Sequence, residues 1–256
     1  MMQRFCLIIL WMVFTLLAGN EKLFAQQTET LLSEATRLES LMQEKSALQK
    51  YKELVVIQST HPDALYKCSE LCSRIGAREK NDKKKQEYYD QAMSYAQKML
   101  KYYPQSEHTY VAMAIAMGKQ ALSKTGKEKI QFVRDIKSNA EKALQINNAN
   151  YKAWHVMGKW NYEMTQLNFM ERAIVKVFFG GLPDASLKSS ISAYRQAEKL
   201  HADFMLNNLE LAKALYANDQ TQDAIQRLRQ LLKMSVRTED DPIVQMEARD
   251  LLKKWK

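Results

Sequence analysis

Glycine and proline are nearly missing from this chain, at seven and four residues of 256. A turn-rich β architecture needs both, so their scarcity beside abundant Leu, Ala, Lys, Gln and Glu points to helix. Cysteine is scarcer still, at three residues. Cys68 and Cys72 sit four apart, on one face of a helix. Two thiols on one regular helix are poorly placed to bridge, and no second pair stands at ligand spacing to complete a metal site. They read as small buried residues at a helix contact. A glycine-rich phosphate loop and any nucleic-acid motif are also lacking. The formal charge is +9, but the cations are scattered among acids. The one dense run, "KNDKKKQE" from Lys80, contains Asn and Asp and reads as a solvated loop between helices.

Long apolar runs are limited to one. Arg4 stands before "FCLIILWMVFTLLA", residues 5–18. That is shorter than the about 20 residues a bilayer span needs. A basic start, an apolar middle and a polar stretch ending in a small residue describe an export signal over residues 1–25, with cleavage after Ala25. An uncleaved N-terminal membrane anchor is the alternative. Cys6 lies at the front of the apolar run rather than after it, unlike the cysteine of a bacterial lipoprotein signal. A short signal suits a Gram-negative periplasm, and no transmembrane span is expected once the signal is removed.

What is present is a repeat. Helix-ending signals recur near Pro62, Pro104, Asn148 and Ala202, at intervals of about 34 to 54 residues that suit stacked helical hairpins with insertions. Before or after each mark lies a similar stripe: Ala92–Ala96–Met99, Ile136–Ala140–Ala143, Ser190–Tyr194–Ala197 and Ala224–Leu228–Leu231. Spacings of four then three put each set on one helix face. The preceding helices carry Leu65–Cys68–Cys72–Ile75, Tyr110–Met113–Ala114–Met117, Trp154–Met157–Gly158 and Leu211–Ala212–Leu215. The aromatic, large apolar and small residues of Trp154, Met157 and Gly158 follow the tetratricopeptide pattern, with Asn161 where Tyr is usual. The small residue lets two helices approach and the large ones fill the space beside it. We therefore expect an all-α, tetratricopeptide-like solenoid of about four hairpins. A helical pair over residues 26–60 caps one end, with Leu31, Leu32, Ala35, Leu38, Leu41 and Met42 on its first apolar face. At the other end, "TEDDPIVQMEARDLLKKWK" reads as a capping helix. Asp240 or Asp241 is its N-cap acceptor and Pro242 lies in its first turn. Ile243, Met246, Ala248, Leu251 and Leu252 form its packed face. The repeat domain, residues 61–256, is interrupted by an apolar helix at about 166–179, ended by Gly180–Gly181.

Three stretches carry a resemblance. They are "YYDQAMSYAQKMLKYYPQSEHTYVAMAIAMG" (88–118), "MGKWNYEMTQLNFMERAIVKVFFGGLPDASLKSSISAYRQAEKL" (157–200) and "LELAKALYANDQTQDAIQRLRQLLKMSVRTEDD" (209–241). With them, roughly residues 50–256 resemble the regulator of microtubule dynamics family, a group of tetratricopeptide-like proteins. The middle stretch is the most specific, because an ordinary repeat has no reason to carry its insert. The resemblance implies an all-helical repeat domain without catalytic residues, and no cofactor is expected. The family name implies microtubule association, which an exported chain would not meet.

The residues offer two binding readings. First helices of stacked hairpins line a concave side, and Lys67, Arg74, His108, Lys159, Tyr162, Lys213 and Tyr216 fall just off the packing stripes. This basic and aromatic set suits a protein or peptide partner, acidic or carboxyl-terminal, bound by charge-assisted hydrogen bonds; an ordinary solvated face is the alternative. In the insert, Leu167, Phe169, Met170, Ile174 and Phe178 could wall a pocket for a lipid or other apolar ligand, or pack across the hairpin they interrupt. Catalysis is the least supported class. His61, His108, His155 and His201 are 47, 47 and 46 residues apart, but they fall at non-equivalent repeat positions and need not converge. Glu239–Asp240–Asp241 reads as helix-start charge.

Overall fold

The computed structural model of the protein describes residues 25–181 and 183–255. Apart from Ala25, the segment read as an export signal lies outside the described residues. Twelve α-helices follow one another, with no strand among the described residues. They are α1 (25–40), α2 (Glu44–Ile57), α3 (Pro62–Arg78), α4 (Asp82–Tyr102), α5 (Glu107–Gln120), α6 (Gly126–Ile146), α7 (Tyr151–Thr165), α8 (Phe169–Phe179), α9 (Leu187–Leu200), α10 (Met205–Ala217), α11 (Thr221–Leu231) and α12 (Asp241–Lys254).

Side-chain caps set several of the starts. His61, Asn81, Asn150 and Ser186 each accept the N–H of the residue three positions on, supplying one acceptor for the free donors of a first turn. The helices then pair as α3/α4, α5/α6, α7/α9 and α10/α11, and the first members touch one another in sequence, α3 on α5, α5 on α7 and α7 on α10. These first helices form an inner layer and the second helices an outer one, the tetratricopeptide-like arrangement expected.

The packing stripes are the cause. Leu65, Cys68, Cys72, Ala92, Ala96, Tyr194, Ala197, Ala224, Leu228 and Leu231 are all fully buried. Close approach depends on glycine at two places, in the middle of α7 and near the end of α3. A Cβ on Gly158 would lie 2.6 Å from the Tyr194 ring, and one on Gly76 2.8 Å from the Tyr89 ring. Where Asn replaces an aromatic, it does local work. Asn161 donates to the Met157 carbonyl at 2.8 Å, and Asn208 donates to the carbonyls of Ala202 and Phe204 at the start of α10.

The two ends differ from expectation. α1 stops at residue 40, and Leu41 and Met42 lie in an exposed turn where Met42 has a φ of 56°. At α12 neither aspartate caps in the expected way. The Asp240 carboxylate is drawn to Arg74 and Arg78, while Asp241 accepts the N–H groups of Arg237 and Thr238 at 2.8 and 2.9 Å. α12 packs through Val244 and Ala248, with Leu251 and Leu252 partly buried, and Ile243 and Met246 face solvent.

α8 begins in a reciprocal box, Asn168 with Glu171, and ends in a left-handed Gly180 at φ 72°. It rests on α6.

Candidate functional site: the inner face of the solenoid

Three charge clusters line the inner layer. The first joins α3 to α7. Lys67 approaches Glu39 at 3.0 Å and Glu70 at 3.8 Å, and Lys152 of α7 pairs with Glu70 and reaches the Tyr66 hydroxyl at 3.0 Å. Burial by itself would raise the Glu70 carboxyl, but the charges of Lys152 and Lys67 outweigh it and hold it at about 2.

The second cluster closes the chain on itself. Arg74 pairs with Glu44 and, at 2.7 Å, with Asp240. Arg78 meets Glu44 at 2.6 Å, Glu239 at 3.1 Å, and Asp240. The Glu44 N–H donates to the Glu239 carboxylate at 2.8 Å. The segment between α11 and α12, residues 232–240, is thereby tied across to α2 and α3.

The third cluster centres on buried Glu210 of α10. Lys159 of α7 reaches it at 2.8 Å and Lys213 at 3.0 Å. Lys159 also pairs with Glu163 at 2.9 Å, and Lys213 with Glu247 of α12. Burial opposes ionisation of Glu210, but the two lysines keep its carboxyl below the usual range.

Each basic residue picked out by sequence on this face thus has a carboxylate partner within the chain: Lys67, Arg74, Lys159 and Lys213. Tyr162 lies with its ring 5.8 Å from the Lys159 ammonium. His108 is tilted against Tyr66 at 4.9 Å, and Tyr216 stacks on Trp255 at 4.1 Å. The structure brings Lys159, Lys213 and Tyr162 together around Glu210. Lys67 and Arg74 form a second group on α3, and His108 and Tyr216 stand apart from both. The histidines serve separate local roles: His61 caps α3, His155 bonds Asn207 at 3.1 Å and His201 stacks on Tyr151 at 4.4 Å.

One cation was missed. Lys119, at the end of α5, is half-buried and forms no ion pair among the described residues. Burial lowers its pKa. The Lys159 charge lowers it further, and Asp240 opposes this without closing on it. The sequence carried no signal for it: with Tyr110–Met113–Ala114 aligned on Trp154–Met157–Gly158, Lys119 falls at the position of Glu163, not of Lys159.

Among the described residues, most of the insert's apolar side chains face solvent. Phe169 and Met170 are 87% and 74% exposed, Ile174 also faces out, and Leu167 and Phe178 are half-buried. An open cleft of about 460 Å³ lies elsewhere, lined by Ala25, Thr28, Glu29, Leu32, Ile57, Gln58 and His61.

Stacked hairpins with an inner layer of first helices define a tetratricopeptide-repeat-like solenoid. A thermophilic tetratricopeptide protein of Thermus thermophilus shares the fold with a TM-score of 0.62 at 14% identity, over 87% of this chain and 98% of that one. The chain belongs to the family described as "Regulator of microtubule dynamics protein 1-3", whose profile matches residues 31–256. It is 27% identical to Regulator of microtubule dynamics protein 1 of Bos taurus over 64% of this chain and 52% of the relative. It is 27% identical to the Homo sapiens protein of that name over 69% and 56%. The chain spans about half the length of the curated relatives it matches. These relatives are animal proteins. The expectation of a Gram-negative periplasm is overturned by them, and with it the reason given for setting microtubules aside.

Proposed function

We propose that this chain is a non-catalytic scaffold whose concave face takes a protein or peptide segment presenting a carboxylate. Lys119 carries the reading. A cation held partly out of water with no carboxylate in contact is unfavourable, and an arriving carboxylate relieves it through charge-assisted hydrogen bonds. The neighbouring cations are already answered by the chain's own acids, so they shape the face rather than provide free charge. The buried thiols support a non-catalytic role. Burial pushes Cys72 up to about 11 and raises Cys68 as well, so neither supplies a thiolate at neutral pH.

The test is affinity capture with the full chain, comparing wild type with Lys119→Glu and Lys119→Met. Both variants lose the partner. Lys119→Met keeps or raises the melting temperature, by about 2–4 °C for each kcal/mol recovered. An unchanged partner set with both variants places binding elsewhere. Charge reversal at Lys159 or Lys213 is a poorer test, because each stabilises Glu210. The relatives' names describe microtubule dynamics, and co-sedimentation of wild type and Lys119→Glu with polymerised tubulin asks whether this face serves that association.

A further inference from the structure

α8 has well-made ends and an unburied face. Among its described side chains only Val175 is buried. Phe169, Met170 and Val177 are 87%, 74% and 78% exposed, and Ile174 is 42% exposed. With Ala173, these residues form one unbroken arc of about 140° around the helix. No polar side chain interrupts it. Charge gathers only at its edges, where cations outnumber the single acid Glu171. Arg172 and Lys176, both exposed, follow Phe169 around the helix on one side. On the other side Lys127 of α6 lies 5.7 Å from the centre of the Phe178 ring. Neither Lys127 nor Lys176 forms an ion pair among the described residues. The helix's one acid, Glu171, lies about 60° past Ile174, and its carboxylate accepts the Asn168 N–H at 2.9 Å.

The geometry points to an anionic membrane surface as the occupant of this face. The helix has eleven residues, against the about 20 needed to span a bilayer, so it lies in the interface rather than across it. Phe169, Met170, Ile174 and Val177 enter the boundary between headgroups and acyl chains. Lys127 and Lys176 meet the lipid phosphates and carboxylates, while Arg172, whose guanidinium donates to the Leu167 and Thr165 carbonyls, adds positive charge beside them. A second copy of the chain fits less well. A two-fold contact would set the same cationic edges against each other. A helix about 16 Å long also offers far less than the about 800 Å² per partner of a stable interface. This docking is independent of the concave-face reading, because α8 rests on the outer helix α6.

The experiment uses the full-length chain with Cys6→Ser and Val177→Cys, carrying an environment-sensitive dye at position 177; the remaining thiols, Cys68 and Cys72, are buried. The probes are vesicles of phosphatidylcholine with and without phosphatidylserine. The expected result is a blue shift of the dye and flotation with the phosphatidylserine vesicles, both reduced by salt. Combining Lys127→Glu with Lys176→Glu lowers partitioning at least about tenfold, while circular dichroism shows the fold intact. A dye that stays in water while the protein floats assigns attachment to another segment, such as residues 5–18, and overturns the proposal. A blue shift that follows protein concentration without vesicles identifies a second copy instead. No shift with either vesicle also overturns it.

Discussion

At the scale of single residues, Gly158 of α7 and Gly118 of α5 both sit inside first helices and meet different neighbours. A methyl on Gly158 would press into the Tyr194 ring at 2.6 Å, whereas the nearest atom to a methyl on Gly118 is the Ile136 Cδ1 at 4.0 Å. Tyr194 is fully buried and cannot swing aside into solvent. Gly158→Ala should therefore cost about 1–3 kcal/mol through overpacking. Gly118→Ala should be neutral or stabilise by up to about 1 kcal/mol, because alanine suits a helix interior better than glycine. Thermal denaturation of the two variants side by side checks this. Equal shifts would show that α7 and α9 do not depend on their close approach.

At the scale of elements, the inner layer is joined by more than neighbour-to-neighbour packing. Glu70 of α3 and Lys152 of α7 reach past α5 to each other. The folded Glu70 carboxyl sits at about 2, below its usual 4.5. A depressed acid contributes stability that is fully present above the unfolded value and is lost as pH falls towards the folded one. The contribution is roughly 2–4 kcal/mol, and it disappears between about pH 4.5 and 2. Urea titrations across that window should show a weaker pH slope for Glu70→Gln than for wild type, with the variant less stable at neutral pH. The sequence exposes some of these relations and hides others. Stripes such as Ala92–Ala96–Met99 are legible because helical period and side-chain size act locally. The partners Lys152 for Glu70 and Glu210 for Lys159 were not. Lys119 was not legible either, because it falls at the repeat position of Glu163 and only the fold shows which acids stay out of its reach. Charge on a helix face does not say which neighbour will answer it, so a face read as basic proves nearly compensated. The exposed α8 was misread for a related reason: apolar composition suggests burial but does not supply the neighbour that would provide it.

At the scale of the whole molecule, an open solenoid is held only by contacts between adjacent repeats, so its ends fray separately. Here the segment at 232–240 returns to α2 and α3, and Glu239 and Asp240 join Glu44 around Arg74 and Arg78. That contact links residues 195 positions apart and couples the two ends of the stack. Removing Arg78 leaves three carboxylates facing one arginine, a loss of about 1–3 kcal/mol at this half-buried site. The consequence reaches beyond the amount. With the tie intact, α10, α11 and α12 cannot open without also losing contacts at α2 and α3, and unfolding should be a single transition. In Arg78→Ala the C-terminal helices should open first, seen as faster amide hydrogen exchange over residues 232–254 and a broadened denaturation curve. Exchange that rises uniformly along the chain would instead mean that the arginine cluster stabilises the stack without coupling its ends.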